Sequence, residues 1–312
     1  MIKLIITQNI KDEFKKLVYK IFNQKKLNEK EIEYRLKRDD KKVKFDICIQ
    51  NLDKLLQKKL GEFDKNITFK KLIVADFNYL EKLTIFLNKN ESSIELTKKE
   101  KEYFYTLYTR LKKTHYVKAL GVSTCLYCNR NHIFNFIKKN QLQATAQIDH
   151  FFDKKTYPYL AISLYNLVPS CSTCNQRKST KQENIIHPFS DSFDKVAKFS
   201  LKIEDSNFYY KENGFEIFLD TKNKKATNSI EVFNLNRLYQ NHKDIILELI
   251  QKEAIYNESY LDELLTHYEG TLFKNREDLQ RLIGGGYVSD EEIGKRPLSK
   301  LIKDISGELG LL

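Results

Sequence analysis

Apolar residues recur at three- and four-residue spacing, with lysines between them, in FKKLVYKIF (14–22), NLDKLLQKKL (51–60) and NYLEKLTIFL (78–87). That spacing places one apolar stripe on each segment, the pattern of an amphipathic helix. YFYTLYTRLKKTHYVKAL, residues 103–120, continues the pattern as one more helical segment and stops at Gly121, a residue suited to ending a helix. Between about 121 and 195 the period becomes mixed, the runs shorten, and three of the four prolines fall here. FSLKIED (199–205) and GFEIFLD (214–220) then alternate like strands. Asn213-Gly214 supplies a turn signal, so a hairpin is predicted. FNLNRLYQNHKDIILELIQKEAIY, residues 233–256, predicts one long amphipathic helix. The glycines at 284–286 separate it from the basic segment KRPLSKLIKDI. The pattern divides the chain into an N-terminal helical region (1–118), a central block (119–195) and a C-terminal region of hairpin and helices (196–312). The fold class is α+β in a mainly helical chain.

The 312 residues are 41% apolar and 12% aromatic, enough for a packed interior. Fifty-four basic residues against 42 acidic ones leave a net charge of +12. Such an excess attracts a polyanion, nucleic acid first and an anionic membrane surface second. A lysine-rich solvated surface explains the same charge equally well. The apolar run in MIKLIITQNIKDEF is too short for a secretory signal, and no apolar stretch approaches a membrane span. The expected compartment is the cytoplasm, with no membrane partner.

An odd count of five cysteines in a reducing compartment argues against a disulfide framework. Four of them pair as Cys125-x-x-Cys128 and Cys171-x-x-Cys174, while Cys48 stands alone in an alternating apolar stretch and is read as a small core residue. Two C-x-x-C pairs supply four soft ligands, the donor set of a tetrahedral zinc site. The 42 residues between Cys128 and Cys171 make a longer gap than a zinc ribbon has. Closing that loop costs about 3 kcal/mol beyond the constant part. Structural zinc releases on the order of 10–16 kcal/mol, so the metal prevails. A closed tetrathiolate site has no open position, so any chemistry lies elsewhere.

Between the two pairs the sequence reads ATAQIDHFF, a loop with TYPYLA, then NLVPSC and NQRKST. This is strand, loop, strand and helix, closed by the metal. Asp149 and His150 are neighbours, and neighbours on a strand face opposite ways. They serve one site only if the strand ends there. Asn166 opens the second strand, and Asn175 starts the helix.

The string D-H, then N-L-x-P-x-C-x-x-C-N-x-x-K, over Cys125 to Lys178, resembles the HNH endonucleases of the ββα-metal superfamily, in the branch with two zinc knuckles. The resemblance implies a central ββα-metal core stapled by zinc at Cys125, Cys128, Cys171 and Cys174. It implies that His150 is the general base and that Asp149 holds a catalytic divalent cation, usually Mg2+. It further implies that Asn166 braces the loop carrying His150. Asn175 falls where the family has His or Asn, as the second ligand of the cation. Elementary chemistry agrees: a neutral imidazole accepts a proton near neutral pH. Oxygen donors suit a hard cation that offsets charge on phosphate oxygens.

Arg130, Arg177, Lys178 and Lys181 flank the knuckles and are candidate phosphate contacts, each equally readable as a solvated charge. Tyr157 and Tyr159 are read either as base-stacking groups or as packing. His187, in IIHPF, is either a contact of the site or part of a packed turn. His115, His132, His242 and His267 have no partner pattern. Two other readings compete: a non-catalytic zinc-dependent nucleic-acid-binding module, and an adaptor whose flanking helices bind a protein. A restriction or mobile-element nuclease would carry the same motif. No G-x-x-x-x-G-K-[ST] loop is present, so the chain is not expected to be its own P-loop motor. Zinc-knuckle HNH proteins of this size resemble the effector nucleases of Septu-like and retron-linked anti-phage systems. That resemblance implies a separate ABC-type ATPase partner docking on helices in 1–118 and 230–312, and nucleic acid as substrate, DNA ahead of RNA.

Overall fold

The computed structural model of the protein describes residues 3–23, 49–90, 94–179, 184–289 and 292–311. Cys48 and Lys181 lie outside the described residues. The chain gathers into two compact units, each discontinuous in sequence. One comprises residues 6–120 and 149–168, the other 1–5, 121–148 and 169–312.

The first unit is helical: α1 (Gln8–Asn23), α2 (Ile49–Leu60), α3 (Phe69–Leu72), α4 (Phe77–Lys89), α5 (Lys98–Arg110) and α6 (Lys113–Leu120). The starts of α3, α4 and α5 are set by side-chain caps that satisfy first free N–H groups. Asp76 accepts from Tyr79 N at the head of α4, and Thr97 with Glu100 forms a reciprocal capping box on α5. The apolar stripes read from the sequence face inward, with Phe14, Val18, Leu52, Leu56, Leu80 and Leu83 all buried. The segment 103–120 is two helices, not one. Leu111 ends α5 with an extended ψ of 125° while its own side chain stays buried. Tyr116 on α6 then meets Phe14 edge-on at 5.2 Å and donates its hydroxyl to Leu167 O at 2.6 Å.

The segment 151–166 of this unit is held by its side chains. Tyr157 donates to Asn88 Oδ1 at 3.0 Å, Tyr159 to Ile94 O at 2.7 Å and Ser163 to Leu72 O at 3.1 Å. Tyr157 and Tyr159 are both buried, so they pack and do not offer faces for base stacking.

The second unit opens with a hairpin of β1 (Asn135–Lys138) and β2 (Gln141–Ala144). Lys139 and Asn140 both take positive φ, 49° and 58°, as a two-residue turn of this hand requires. β3 (Gln147–His150) pairs with β4 (Leu167–Ser170), and both strands run from one unit into the other. α7 (Ser172–Lys178) follows β4 directly. After α8 (Phe193–Val196), β5 (Lys198–Ile203) and β6 (Phe215–Asp220) form the expected antiparallel pair, in the register Phe199↔Leu219. Their link is longer than a tight turn. It holds two 3-10 turns, and a Cβ on Gly214 would stand 2.6 Å from the Phe208 backbone, so that close approach requires glycine.

The long helix predicted for 233–256 is broken. α9 (Lys224–Phe233) ends at Asn234, whose φ of 53° is left-handed, a conformation that Asn tolerates. α10 (Leu235–Tyr239), a 3-10 turn and α11 (Lys243–Ile255) follow, then α12 (Glu258–Tyr268), α13 (Arg276–Gly284) and α14 (Ser299–Leu309). Gly285, at φ 75°, ends α13. The basic C-terminal segment is not a solvated face throughout. Lys300 on α14 is fully buried, with Asp194 Oδ1 at 2.7 Å and Asp304 Oδ2 at 2.8 Å. The result is an α+β chain in which helices dominate and the three sheets have two strands each among the described residues. No helix among them is long and apolar enough to cross a membrane.

Candidate functional site

The four paired cysteines come together. Cys125, Cys128, Cys171 and Cys174 are all buried, and their sulfur atoms lie within 4.8 Å of one another. The local sequence explains the convergence. Asn129 N donates to Cys125 O at 2.8 Å and Cys125 N to Asn131 O at 2.9 Å, which folds the first C-x-x-C into a tight loop. Asn129 takes a left-handed φ of 52° to let the chain turn back. The second pair lies across the β4–α7 junction, with Cys171 at the position just before the helix. Three N–H groups point at sulfur: Cys171 N at Cys125 Sγ (3.3 Å), Arg130 N at Cys128 Sγ (3.4 Å) and Asn131 Nδ2 at Cys171 Sγ (3.3 Å). Hydrogen bonds from Cys125, Cys128 and Cys174 hold the Cys171 thiol well below its ordinary range. Such a set of crowded, hydrogen-bonded sulfurs fits a metal such as zinc.

The loop is braced from behind. Asn129 is fully buried, donates to Ile293 O at 3.3 Å, accepts from Lys300 N at 3.1 Å and takes the Leu298 N–H on its carbonyl at 2.7 Å. Thr124 donates to Gly294 O at 2.8 Å, and the Tyr239 hydroxyl donates to Cys128 O. Arg130 is drawn into the same packing, with Nε donating to His242 Nε2 at 3.0 Å and its guanidinium over the Tyr239 ring. Burial first, then the Arg130 charge, lowers the His242 pKa, so that ring is neutral and accepts.

Asp149 and His150 are the last two residues of β3, and both are buried. The strand ends there, as shared service of one site requires. His150 Nε2 lies 3.0 Å from Ala161 O, and the Tyr108 ring meets the imidazole edge-on at 4.4 Å. Burial first, and then the Asp149 charge, pushes the Tyr108 hydroxyl up to about 12, so it stays protonated at physiological pH. Asn166 ends a 3-10 turn just ahead of β4 and grips the chain beyond His150. Its Oδ1 accepts from Phe152 N at 2.7 Å, while Nδ2 donates to Phe152 O at 3.1 Å and Leu160 O at 2.9 Å. Its own carbonyl accepts from Phe151 N at 2.9 Å.

Asp149, His150 and Asn166 belong to the helical unit; Asn175, Arg130, Arg177, Lys178 and the four cysteines belong to the other. Asn175 sits inside α7 instead of starting it, because the helix begins at Ser172. Its Nδ2 donates to Gln147 Oε1 at 2.7 Å. Lys178 is buried and Arg177 partly exposed. His187 is buried in a packed turn, with Nδ1 accepting from Phe189 N at 3.2 Å. Sequence reasoning missed Tyr108 beside His150, since no motif marks it. It also missed Asn131, whose sole sequence signal is an amide three residues after a zinc-type cysteine.

The chain is similar to the Septu protein PtuB of Bacillus thuringiensis, 29% identical over 117 residues. The match covers 36% of this chain and 37% of that protein, so it spans little more than a third of either. No protein-family model matches the chain, and no solved structure matches it.

Proposed function

We propose that this chain is a metal-dependent endonuclease of the HNH type, hydrolysing phosphodiester bonds in nucleic acid, DNA ahead of RNA, as an effector of anti-phage defence. The observation that carries the reading is the position of His150, beside buried Asp149 at the end of β3, with Nε2 against a backbone carbonyl. A carbonyl only accepts, so the neutral ring bears its proton on Nε2 and its lone pair on Nδ1. Nδ1 is then the general base that takes a proton from the attacking water. Asn166 acts through the loop, holding the backbone on the far side of His150 by three side-chain hydrogen bonds.

By the resemblance, Asp149 is a hard oxygen donor that would hold a divalent cation such as Mg2+, and Asn175 falls at the family's position for the second ligand. When bound, that cation supplies charge neutralisation at the phosphate and the leaving 3′ oxygen. The four cysteines take a structural zinc, since a tetrathiolate shell leaves no position for substrate. The similarity to a Septu protein supports a role in defence. The reading includes a separate ATPase partner, as the resemblance to Septu-like systems implies.

The test is cleavage of plasmid DNA, single-stranded DNA and RNA with Mg2+ or EDTA, by wild type and His150→Ala, alone and with the proteins encoded beside it. Metal-dependent cutting lost in the variant supports the reading. Equal cutting by both removes His150 as the base.

A further inference from the structure

The Tyr108 ring beside His150 carries two cations. Lys113 Nζ lies 4.2 Å and Lys154 Nζ 4.7 Å from its centre. Each ammonium is drawn to the ring face, and the ring is fixed because Tyr108 is buried. The lysine stems are reachable from solvent, with Lys113 exposed and Lys154 partly so. Three features of this cluster are unfavourable for the protein by itself. The two like charges share one ring. Lys113 stands in the first turn of α6, the helix end whose N–H groups attract anions and repel cations. No carboxylate forms an ion pair with Lys113 among the described residues. Desolvation first, and then the Lys154 charge, lowers its pKa.

A bound anion would relieve all three. An anion met next to a general base for phosphodiester hydrolysis is a backbone phosphate. We infer that Lys113 and Lys154 form a cradle for a backbone phosphate of the nucleic acid, held in place by Tyr108 next to His150. The inference rests on the nuclease reading above, and adds the feature that seats the strand. The lysines bind and position; proton transfer stays with His150. Lys154 lies between the two cysteine pairs but is not one of the motif residues. Lys113 comes from the helical region before the motif, which gives that region a part in substrate binding.

The test is fluorescence anisotropy of labelled single-stranded and duplex DNA and of RNA in EDTA, over a salt series, so that binding is read without cleavage. The proteins are wild type, Lys113→Gln, Lys154→Gln, the double variant, and Lys58→Gln as an exposed control of equal charge change. Each lost phosphate contact makes the slope of log K against log salt shallower by about 0.7–0.9. The double variant is expected to lose roughly tenfold or more in affinity at low salt and to show this change twice over. Lys58→Gln should move neither quantity, and the paired arginine variant should restore both. An unchanged slope in the double variant overturns the cradle, as does failure of the wild type to bind any nucleic acid. His150→Ala, run in parallel, should bind like wild type and fail to cut. If it cuts in Mg2+ as well as wild type does, His150 is not the base, and the slopes still judge the lysines separately.

Discussion

His150 Nε2 stands 3.0 Å from the carbonyl oxygen of Ala161, eleven residues further along the chain. This contact decides the tautomer and aims the other ring nitrogen, Nδ1, away from the carbonyl. The contact survives only if the loop between the two residues keeps its shape. Asn166 keeps that shape by holding Phe152 on both backbone groups and Leu160 on its carbonyl.

Asn166→Ala therefore leaves one N–H and two carbonyls without their side-chain partner in a buried setting. Urea unfolding should show a loss on the order of 3 kcal/mol, since each orphaned buried group costs about 1–3 kcal/mol. Activity at a temperature where the variant is folded should fall as well, because the His150 ring loses its seat. A variant as stable as wild type would show that the loop is held by other contacts.

The cysteine cluster makes a second prediction. The purified chain should carry one zinc ion by elemental analysis, and Cys128→Ser or Cys174→Ser should lose it. Chelation should remove cooperative unfolding of the unit formed around the cluster, because structural zinc is worth on the order of 10–16 kcal/mol at neutral pH. Full zinc occupancy in a cysteine variant would mean that the ion is held elsewhere.

Much of this cluster was legible from spacing alone, and the reasons are physical. A C-x-x-C pair must bend into a tight loop to present two sulfurs, so Cys125, Cys128, Cys171 and Cys174 announce their geometry in one dimension. The end of β3 at Asp149 and His150 was legible as an expectation, because strand neighbours face opposite ways unless the strand ends there. The amphipathic stripes of α1, α2 and α4 likewise followed from their period. The breaks at Leu111 and Asn234 did not, since the apolar period continues across both and the interruption is imposed by tertiary packing. Tyr157 and Tyr159 look the same in sequence whether they stack on a base or donate to Asn88 and Ile94. Tyr108, Lys113 and Lys154 meet only through the fold, and no spacing rule joins them.

The buried ion network on α14 predicts the response to acid. Burial works to raise the Asp194 carboxyl, but Lys300 and Lys303 outweigh it and hold it below its ordinary range. Its native pKa thus lies below that of the unfolded chain, near 3.9. The stability that it contributes is present above about pH 4 and is lost as pH falls through the native value. Asp304 has the opposite sign, since burial raises it more than Lys300 lowers it, and acid relieves its cost. Asp194→Asn should lower stability at pH 7 by about 1–3 kcal/mol and flatten the acid limb of the stability profile. Parallel profiles for variant and wild type would remove Asp194 from acid unfolding.

The most direct test of the central claim is the rate of Mg2+-dependent cleavage by wild type and His150→Ala on the nucleic acid that the wild type cuts. Loss of a general base lowers such a rate by about 10²–10⁴-fold. The account predicts a drop of that size, with zinc content and unfolding midpoint unchanged. A His150→Ala protein that cuts as fast as wild type would contradict it, and the pair at the end of β3 would then be structural.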